Sequence, residues 1–159
     1  MNPPTSNTSY LIASIAGVQV ALPVSSVKEI VRAVALGVVP GAPRLLEGAL
    51  NLRGTLVPVV DLRLRLGLPS RANDPSDSLI VLAIDTRLLA VRVESADDVE
   101  EIEATSIANP SVMSPVLAAL PALAGIASRD DGALVIYDPA TFLTQAEGEA
   151  IDAALKAAS

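Results

Sequence analysis

Two stretches of this 159-residue chain repeat each other in the same order, and that repeat limits the fold more than any other feature. YLIASIAGVQVALPVSSVKEI at 10–30 aligns without a gap on LIVLAIDTRLLAVRVESADDV at 79–99. This sets Ala21 on Ala90, Val24 on Val93, Ser26 on Ser95 and Glu29 on Asp98. LEGALNLRGTLVPVVDL at 46–62 aligns on LAGIASRDDGALVIYDP at 123–139, with Gly48 on Gly125 and Asp61 on Asp138. Each half reads as a hairpin, a short connector, an apolar-Gly step, a turn and a strand ending in Asp. Two small β units of one plan follow, approximately 10–68 and 79–139. Neither holds much core alone, so the units are expected to pack on each other, with the seam between them as the natural binding site.

Strand-like runs of Val, Ile and Leu cover Tyr10–Ile15, Val18–Val24, Thr55–Asp61, Leu79–Ile84, Leu88–Val93 and Ala133–Tyr137. Ala16-Gly17 separates the first two and Asp85-Thr86-Arg87 the fourth and fifth, which are hairpin spacings. Pro58 cannot donate to a ladder, so its strand is expected at a sheet edge or at a bulge. Ser26-x-x-Glu29 reads as a capping box opening a short helix with Val27, Ile30 and Val31. Asp138-Pro139 suits the N-cap and first position of a turn through Phe142. Thr144-x-x-Glu147 is a second capping box, before a C-terminal helix that reaches about Ala157 and sets Ile151 and Leu155 on one face. Residues 69–78 (PSRANDPSDS) read as a loop, and the three prolines between Asn109 and Pro121 predict an irregular path.

Composition closes off several chemistries. The chain has no His and no Cys, which excludes the usual zinc, iron–sulfur, copper and haem ligand sets, a Ser–His–Asp triad and a Cys–His dyad. No cofactor is expected. A net charge of -7 and 2% aromatic residues lack the basic patches and stacking platforms of nucleic-acid binders. The first charged side chain is Lys28, but residues 2–9 are polar or Pro with no basic region. The apolar stretch Tyr10–Val24 is too short to span a bilayer. A cytoplasmic protein without membrane insertion is the expectation. The charge is uneven: residues 1–80 carry 7 basic and 5 acidic groups, residues 81–159 carry 4 and 13. Much of the excess is Glu94, Asp97, Asp98, Glu100, Glu101 and Glu103, read as a solvated edge or an anionic contact surface and lacking the spacing of a calcium loop. Asp61 and Asp138 could be imagined as a glycosidase pair, but they are repeat mates at strand ends, and Asp138 before Pro139 has the form of a helix cap.

The halves differ most at one turn, Asn51-Leu52-Arg53-Gly54 in the first and Ser128-Arg129-Asp130-Asp131 in the second. Asn and Gly suit positive φ there, whereas Leu52 and Arg53 are not required by turn geometry. GALNLRGTLVPVVDLRLRLGL at 48–68 resembles the signature stretch of the CheW-like family, G-apolar-x-N-L-R-G-x-apolar-x-P-apolar-x-D-L, at every position of that pattern. SVKEIV at 26–31 resembles the V-x-E-I helix of that family, and the second-half strands resemble its later ones, so the likeness covers roughly 9–146.

The resemblance implies a mainly β fold of two SH3-like five-stranded barrels around a shared core, with short helices and a C-terminal helix at 147–159. It implies a non-catalytic adaptor that joins the cytoplasmic tip of chemoreceptors to the regulatory domain of the histidine kinase CheA. A scaffold of another chemosensory-type pathway, with twitching or second-messenger output, is the alternative. The interface it implies comprises Val27, Glu29, Gly48, Leu50, Asn51, Leu52, Arg53 and Gly54. Glu29 would either cap a helix opposite Ser26 or orient the Arg53 guanidinium, and Val27, Leu50 and Leu52 would wall a groove for a receptor helix. Ala13 stands where the family often has a large aromatic, so the core is expected to be aliphatic and aromatic hot spots scarce, leaving affinity to multivalency.

Overall fold

The computed structural model describes residues 7–69, 71–72, 74–109, 123–129 and 132–158. The irregular path expected between Asn109 and Pro121 falls, after Asn109, outside the described residues, as do Asp130 and Asp131. Both expected hairpins form: β1 (Asn7–Ile15) with β2 (Val18–Pro23), and β6 (Ser78–Ile84) with β7 (Arg87–Val93). The other strands are β3 (Val27–Arg32), β4 (Leu46–Leu52), β5 (Thr55–Val60), β8 (Ser95–Glu103), β9 (Ile107–Ala108), β10 (Leu123–Arg129) and β11 (Gly132–Tyr137). They make two sheets, ordered β8-β1-β2-β11-β10-β9 and β3-β6-β7-β5-β4. The fold is mainly β, and the expected SH3-like barrels are present as open sheets, with no closed barrel among the described residues. One sheet has a sixth strand, β9, whose counterpart in the other is a single bridge between Gly37 and Ala49.

The sheets correspond strand for strand, but each takes its hairpin from the other half of the sequence. β1–β2 lies with β8 to β11, and β6–β7 lies with β3 to β5. The irregularities repeat as well. Register shifts at Lys28 in β3 and Asp97 in β8 occupy the same repeat position, as do those at Glu47 in β4 and Ala124 in β10. Gly48 and Gly125 are small for a shared reason. A Cβ on Gly48 would lie 2.8 Å from the Gly37 carbonyl oxygen, and one on Gly125 would lie 2.3 Å from the Ile107 side chain.

Hairpin exchange explains why the apolar runs barely alternate. Leu11, Ala13, Ile15, Val20 and Leu22 from one hairpin meet Ile80, Leu82, Leu89, Val91 and Val93 from the other in a shared core with Tyr137 and Phe142. The opposite faces are also covered. Tyr10, Ile12 and Ala21 pack with Leu134 and Ile136, while Leu79, Val81 and Ala90 pack with Leu50, Val57 and Val59. A strand buried on both faces reads as a continuous hydrophobic run.

Two local expectations are corrected. Residues 27–32 form an edge strand, not a helix. A single 3-10 turn at Val24–Ser26 precedes it without a side-chain cap, and β-branched Val27, Ile30 and Val31 pair along β6. Pro58 is not on an edge strand, because β5 lies between β4 and β7. Nor is it bulged, since the bulge falls at Glu47 on the neighbouring strand. Ala49 opposite Pro58 turns its N–H and C=O to Gly37, and pairing with β7 begins only at Val59, so the ladder loses no donor at the proline.

The terminal signals hold. Asp138 caps a 3-10 turn at Pro139–Thr141 by accepting from the Ala140 N–H at 3.1 Å. Its repeat mate Asp61 likewise caps a short helix, α1 (Leu62–Arg65), by accepting from Arg63 N–H at 3.0 Å. Thr144 and Glu147 form the reciprocal capping box of α2 (Gln145–Ala158) at 3.1 and 2.9 Å. Ile151 and Ala154 bury against Val39, Leu46 and Ala49, with Leu155 partly buried beside them. Glu147 pairs with Arg65, and Asp152 takes a two-pronged bond from Arg87 at 2.8 and 2.6 Å.

The loop after α1 is tied down by charge. Buried Arg92 binds both oxygens of Glu47 at 3.0 and 2.8 Å and Asp77 at 3.0 Å, and it donates to the carbonyls of Arg71 and Ala72. Arg71 also grips Asp77 at 2.8 and 2.9 Å. Replacing Arg92 by Leu leaves buried carboxylates short of a partner, and we expect a loss of about 3–5 kcal/mol in denaturant unfolding. Burial pushes the Glu147 pKa up, but the Thr144 N–H and the Arg65 guanidinium outweigh this and hold it below the ordinary glutamate value. A depressed folded pKa contributes stability that is complete above the unfolded value and lost as pH falls toward the folded one. The Tm gap between the wild type and Glu147→Gln should therefore be widest near neutral pH and narrow below about pH 4.3. A gap that stays constant with pH would remove this role.

Candidate functional site

The β4–β5 hairpin places the divergent turn. Arg53 has φ +50° and Gly54 φ +88°, the two left-handed residues of a tight hairpin turn whose twist matches the strands. Positive φ therefore falls on Arg53 and Gly54. Asn51 is still in β4 and contributes differently: its side-chain oxygen accepts from the Gly54 N–H at 2.9 Å and locks the turn. Arginine pays about 1–2 kcal/mol for a conformation that glycine adopts freely.

Glu29 reaches the turn from β3. The bulge at Lys28 inserts one residue between Val27, which packs on the shared core, and Glu29, which pairs opposite Val81 on the other face of the sheet. On that face Glu29 accepts from Arg53 Nη2 at 2.9 Å. The capping alternative for Glu29 falls with the helix, and the pairing with Arg53 is what the structure contains. The Arg53 side chain is 69% exposed and spends one N–H on Glu29, so most of the guanidinium fork faces solvent.

The other proposed interface residues are dispersed. Gly48 is buried under Leu36 and Gly37, and Leu50 is buried among Val57, Val59 and Val81. Leu52 packs at the margin of that cluster, while Val27 belongs to the shared core. Leu50 and Leu52 thus share one apolar cluster, and Val27 packs on another. Beside the turn Leu56, 37% exposed, adds apolar surface and with Thr55 enters a cleft of about 410 Å³ shared with Leu88 and Leu155. Arg87 and Asp152 also line it. Sequence reasoning missed Leu56, although its place directly after Arg53-Gly54-Thr55 was a usable signal. It also missed Arg92, the one charge in LLAVRV, and the exposed Val34 and Val38.

The acidic run is the edge strand β8, as the solvated-edge reading expected, except that Glu94 precedes it and turns inward. Glu94 accepts from the Ala16 N–H at 3.0 Å and pairs with Arg63. All three aromatic residues, Tyr10, Tyr137 and Phe142, are buried. Among the described residues no helix is long and apolar enough to cross a membrane, and no group of three or more acidic side chains could hold a metal ion.

Comparison with known proteins identifies the family of the fold. The family described as the CheW-like domain matches residues 9–147. The chemotaxis protein CheW of Klebsiella aerogenes is 25% identical over 148 residues, covering 93% of this chain and 89% of that protein. The CheW of Bacillus subtilis is 31% identical over 97 residues, 61% of this chain and 62% of its own. The crystal structure of the scaffolding protein TtCheW from Thermoanaerobacter tengcongensis superposes with a TM-score of 0.73 at 28% identity, over 87% of each chain. A duplicated β fold with exchanged hairpins, the complete N-L-R-G turn and a match along nearly its whole length make this chain a member of the CheW-like family of chemotaxis adaptors.

Proposed function

We propose that this chain is a non-catalytic coupling adaptor that holds the cytoplasmic tip of a chemoreceptor and the regulatory domain of the histidine kinase CheA in one complex, at the cytoplasmic side of the membrane. The observation that carries this reading is the Glu29–Arg53 pair, with its guanidinium held on a locked turn and directed to solvent. Such a pair recognises a partner without turnover, because a pre-oriented guanidinium fork donates to a carboxylate or to a row of helix-end carbonyls at little entropic cost. Leu52 and Leu56 supply apolar ground beside it for one face of a receptor helix. Of the eight interface residues, Glu29, Leu52 and Arg53 would touch the partner, Asn51 and Gly54 hold the turn, and Val27, Gly48 and Leu50 position strands from within. The chemotaxis role named for the relatives gives the alternative outputs, twitching and second-messenger signalling, no support.

Arg53→Gly separates folding from recognition. It removes the guanidinium and relieves the left-handed arginine, so Tm should stay level or rise. Co-sedimentation with a receptor cytoplasmic fragment should weaken at least about tenfold, the scale of one lost charge-assisted bond. Glu29→Gln, which keeps an acceptor but loses the charge, should fall between. Wild-type binding by Arg53→Gly would move the receptor site elsewhere on the surface.

A further inference from the structure

The repeat relates two clefts as well as two sheets, and the comparison isolates what α2 adds to one of them. The cleft beside Leu56 is walled by Thr55, Leu56, Pro58, Thr86, Arg87 and Leu88. Their repeat mates Gly132, Ala133, Val135, Gly17, Val18 and Gln19 wall a cleft of about 470 Å³ in the other sheet. Among the described residues no helix lines that second cleft, so the backbone plan does not require a cover. In the first cleft Asp152 and Leu155 of α2 close one side, and the Arg87 that binds Asp152 stands where the second half has Val18.

The hold on α2 is incomplete. Ile151 and Ala154 bury on Val39, Leu46 and Ala49, but a further cleft of about 320 Å³ opens between Gly148 of the helix and Ile84, Leu89 and Leu143. A Cβ on Gly148 would lie 3.4 Å from Nη2 of Arg87, so close passage of the guanidinium keeps a weak helix former in the helix interior. In the first turn, Arg65 donates through Nη2 to Oε1 of Glu147, an oxygen that also accepts the Thr144 N–H of the helix cap. The Nε–H of the same arginine is buried with no acceptor. A carboxylate not engaged in capping its own helix would take Nε and Nη2 together, the side-on pair that α2 does not make.

We propose that the face under α2 is a docking site for an acidic amphipathic helix of a partner protein, which α2 itself occupies in the unbound chain. The face defines its occupant, because it sets Arg65 and Arg87 beside the apolar strip of Val39, Leu46 and Ala49. α2 answers with Glu147, Ile151, Asp152 and Ala154: an acid, a large aliphatic four residues on, a second acid five on and a small aliphatic seven on. A partner helix of that spacing meets the same residues and can satisfy Arg65 in full. Replacement is by exchange, because Arg65 is only 12% exposed and a buried guanidinium left unpaired is strongly unfavourable. A fourteen-residue helix is marginal once it leaves the surface, so the displaced segment unwinds instead of competing for the face. Neither Glu29 nor Arg53 belongs to this face, so the docking site goes beyond the receptor reading and does not rest on it.

Fluorescence anisotropy with a labelled peptide of residues 144–158 tests this on the full chain. The wild type should bind the peptide weakly, because its own α2 fills the face. Ile151→Asp removes the anchor of α2 within the chain, and this variant should bind the unaltered peptide at least about tenfold more tightly. Adding Arg87→Glu to that chain should abolish binding, and a peptide carrying Asp152→Lys should restore it. Restoration by charge exchange cannot come from misfolded protein. An Ile151→Asp chain that binds no better than the wild type overturns the proposal. So does an altered peptide that fails to bind the chain carrying Arg87→Glu. No receptor enters the measurement, so failure here leaves the Arg53 reading standing.

Discussion

The shared core between the two exchanged hairpins is the contact on which the rest of this fold depends. Leu11, Ile15, Val20 and Leu22 on one side interlock with Ile80, Leu82, Leu89 and Val91 on the other, and the reverse faces of the same hairpins close the core of each sheet. Burial on both faces supplies the hydrophobic stabilisation that neither half could gather alone. It also joins the halves, since removing either one strips the exchanged hairpin from one sheet and the remaining strands from the other. The low aromatic content fits this arrangement. Thin, interdigitated aliphatic layers fill the space, and the three aromatic rings are all used inside, with Tyr137 and Phe142 packed at a centroid distance of 5.5 Å.

Around that core, bulges turn one backbone plan into different chemistry. At Lys28 the bulge moves Glu29 to the face where Arg53 arrives. At Glu47 the bulged carboxylate enters the buried charge cluster of Arg92 and Asp77, and Arg92 also holds the carbonyls of Arg71 and Ala72. The equivalent bulges in the second half carry Asp97 and Ala124, and the repeat position of Glu47 has no charge to make such a cluster. The duplication has preserved hydrogen-bond geometry and left side-chain chemistry free to diverge. Such divergence lets a pseudo-symmetric scaffold address different partners with its two sides.

With the aromatics committed to the core, the outer surfaces work with charge and single aliphatics. The Arg53 turn, the Leu56 cleft and the acidic edge β8 are each small, and small polar contacts give modest affinity and fast exchange. An adaptor built this way gains avidity from the number of simultaneous contacts. Charge on an edge strand also discourages indiscriminate sheet extension, which makes the choice of partner depend on complementarity.

Features set by a few neighbouring residues were legible in the sequence. The hairpins could be read from apolar runs around Ala16-Gly17 and Asp85-Thr86, the caps from Asp138-Pro139 and Thr144-x-x-Glu147, and the special turn from its failure to repeat in the second half. What escaped was decided by partners distant in sequence. Ser26-x-x-Glu29 has the form of a helix start, but a free edge of β6 offered pairing to five residues of β3, and that outweighed a cap worth about 1 kcal/mol. Pro58 looked like an edge residue until Gly37 took the hydrogen bonds of Ala49. Leu50 and Leu52 look alike in LNLRG, yet one is core and the other lies at its margin, because Leu52 is the last residue of β4 before the turn. The sequence by itself determined a duplicated, aliphatic β protein with one unusual arginine turn, since those properties follow from local pattern and composition. Only the tertiary structure decided which hairpin joined which sheet, which carboxylate met which arginine, and which aliphatics stayed in water, because each of those is a contact between residues that the chain keeps far apart until it folds.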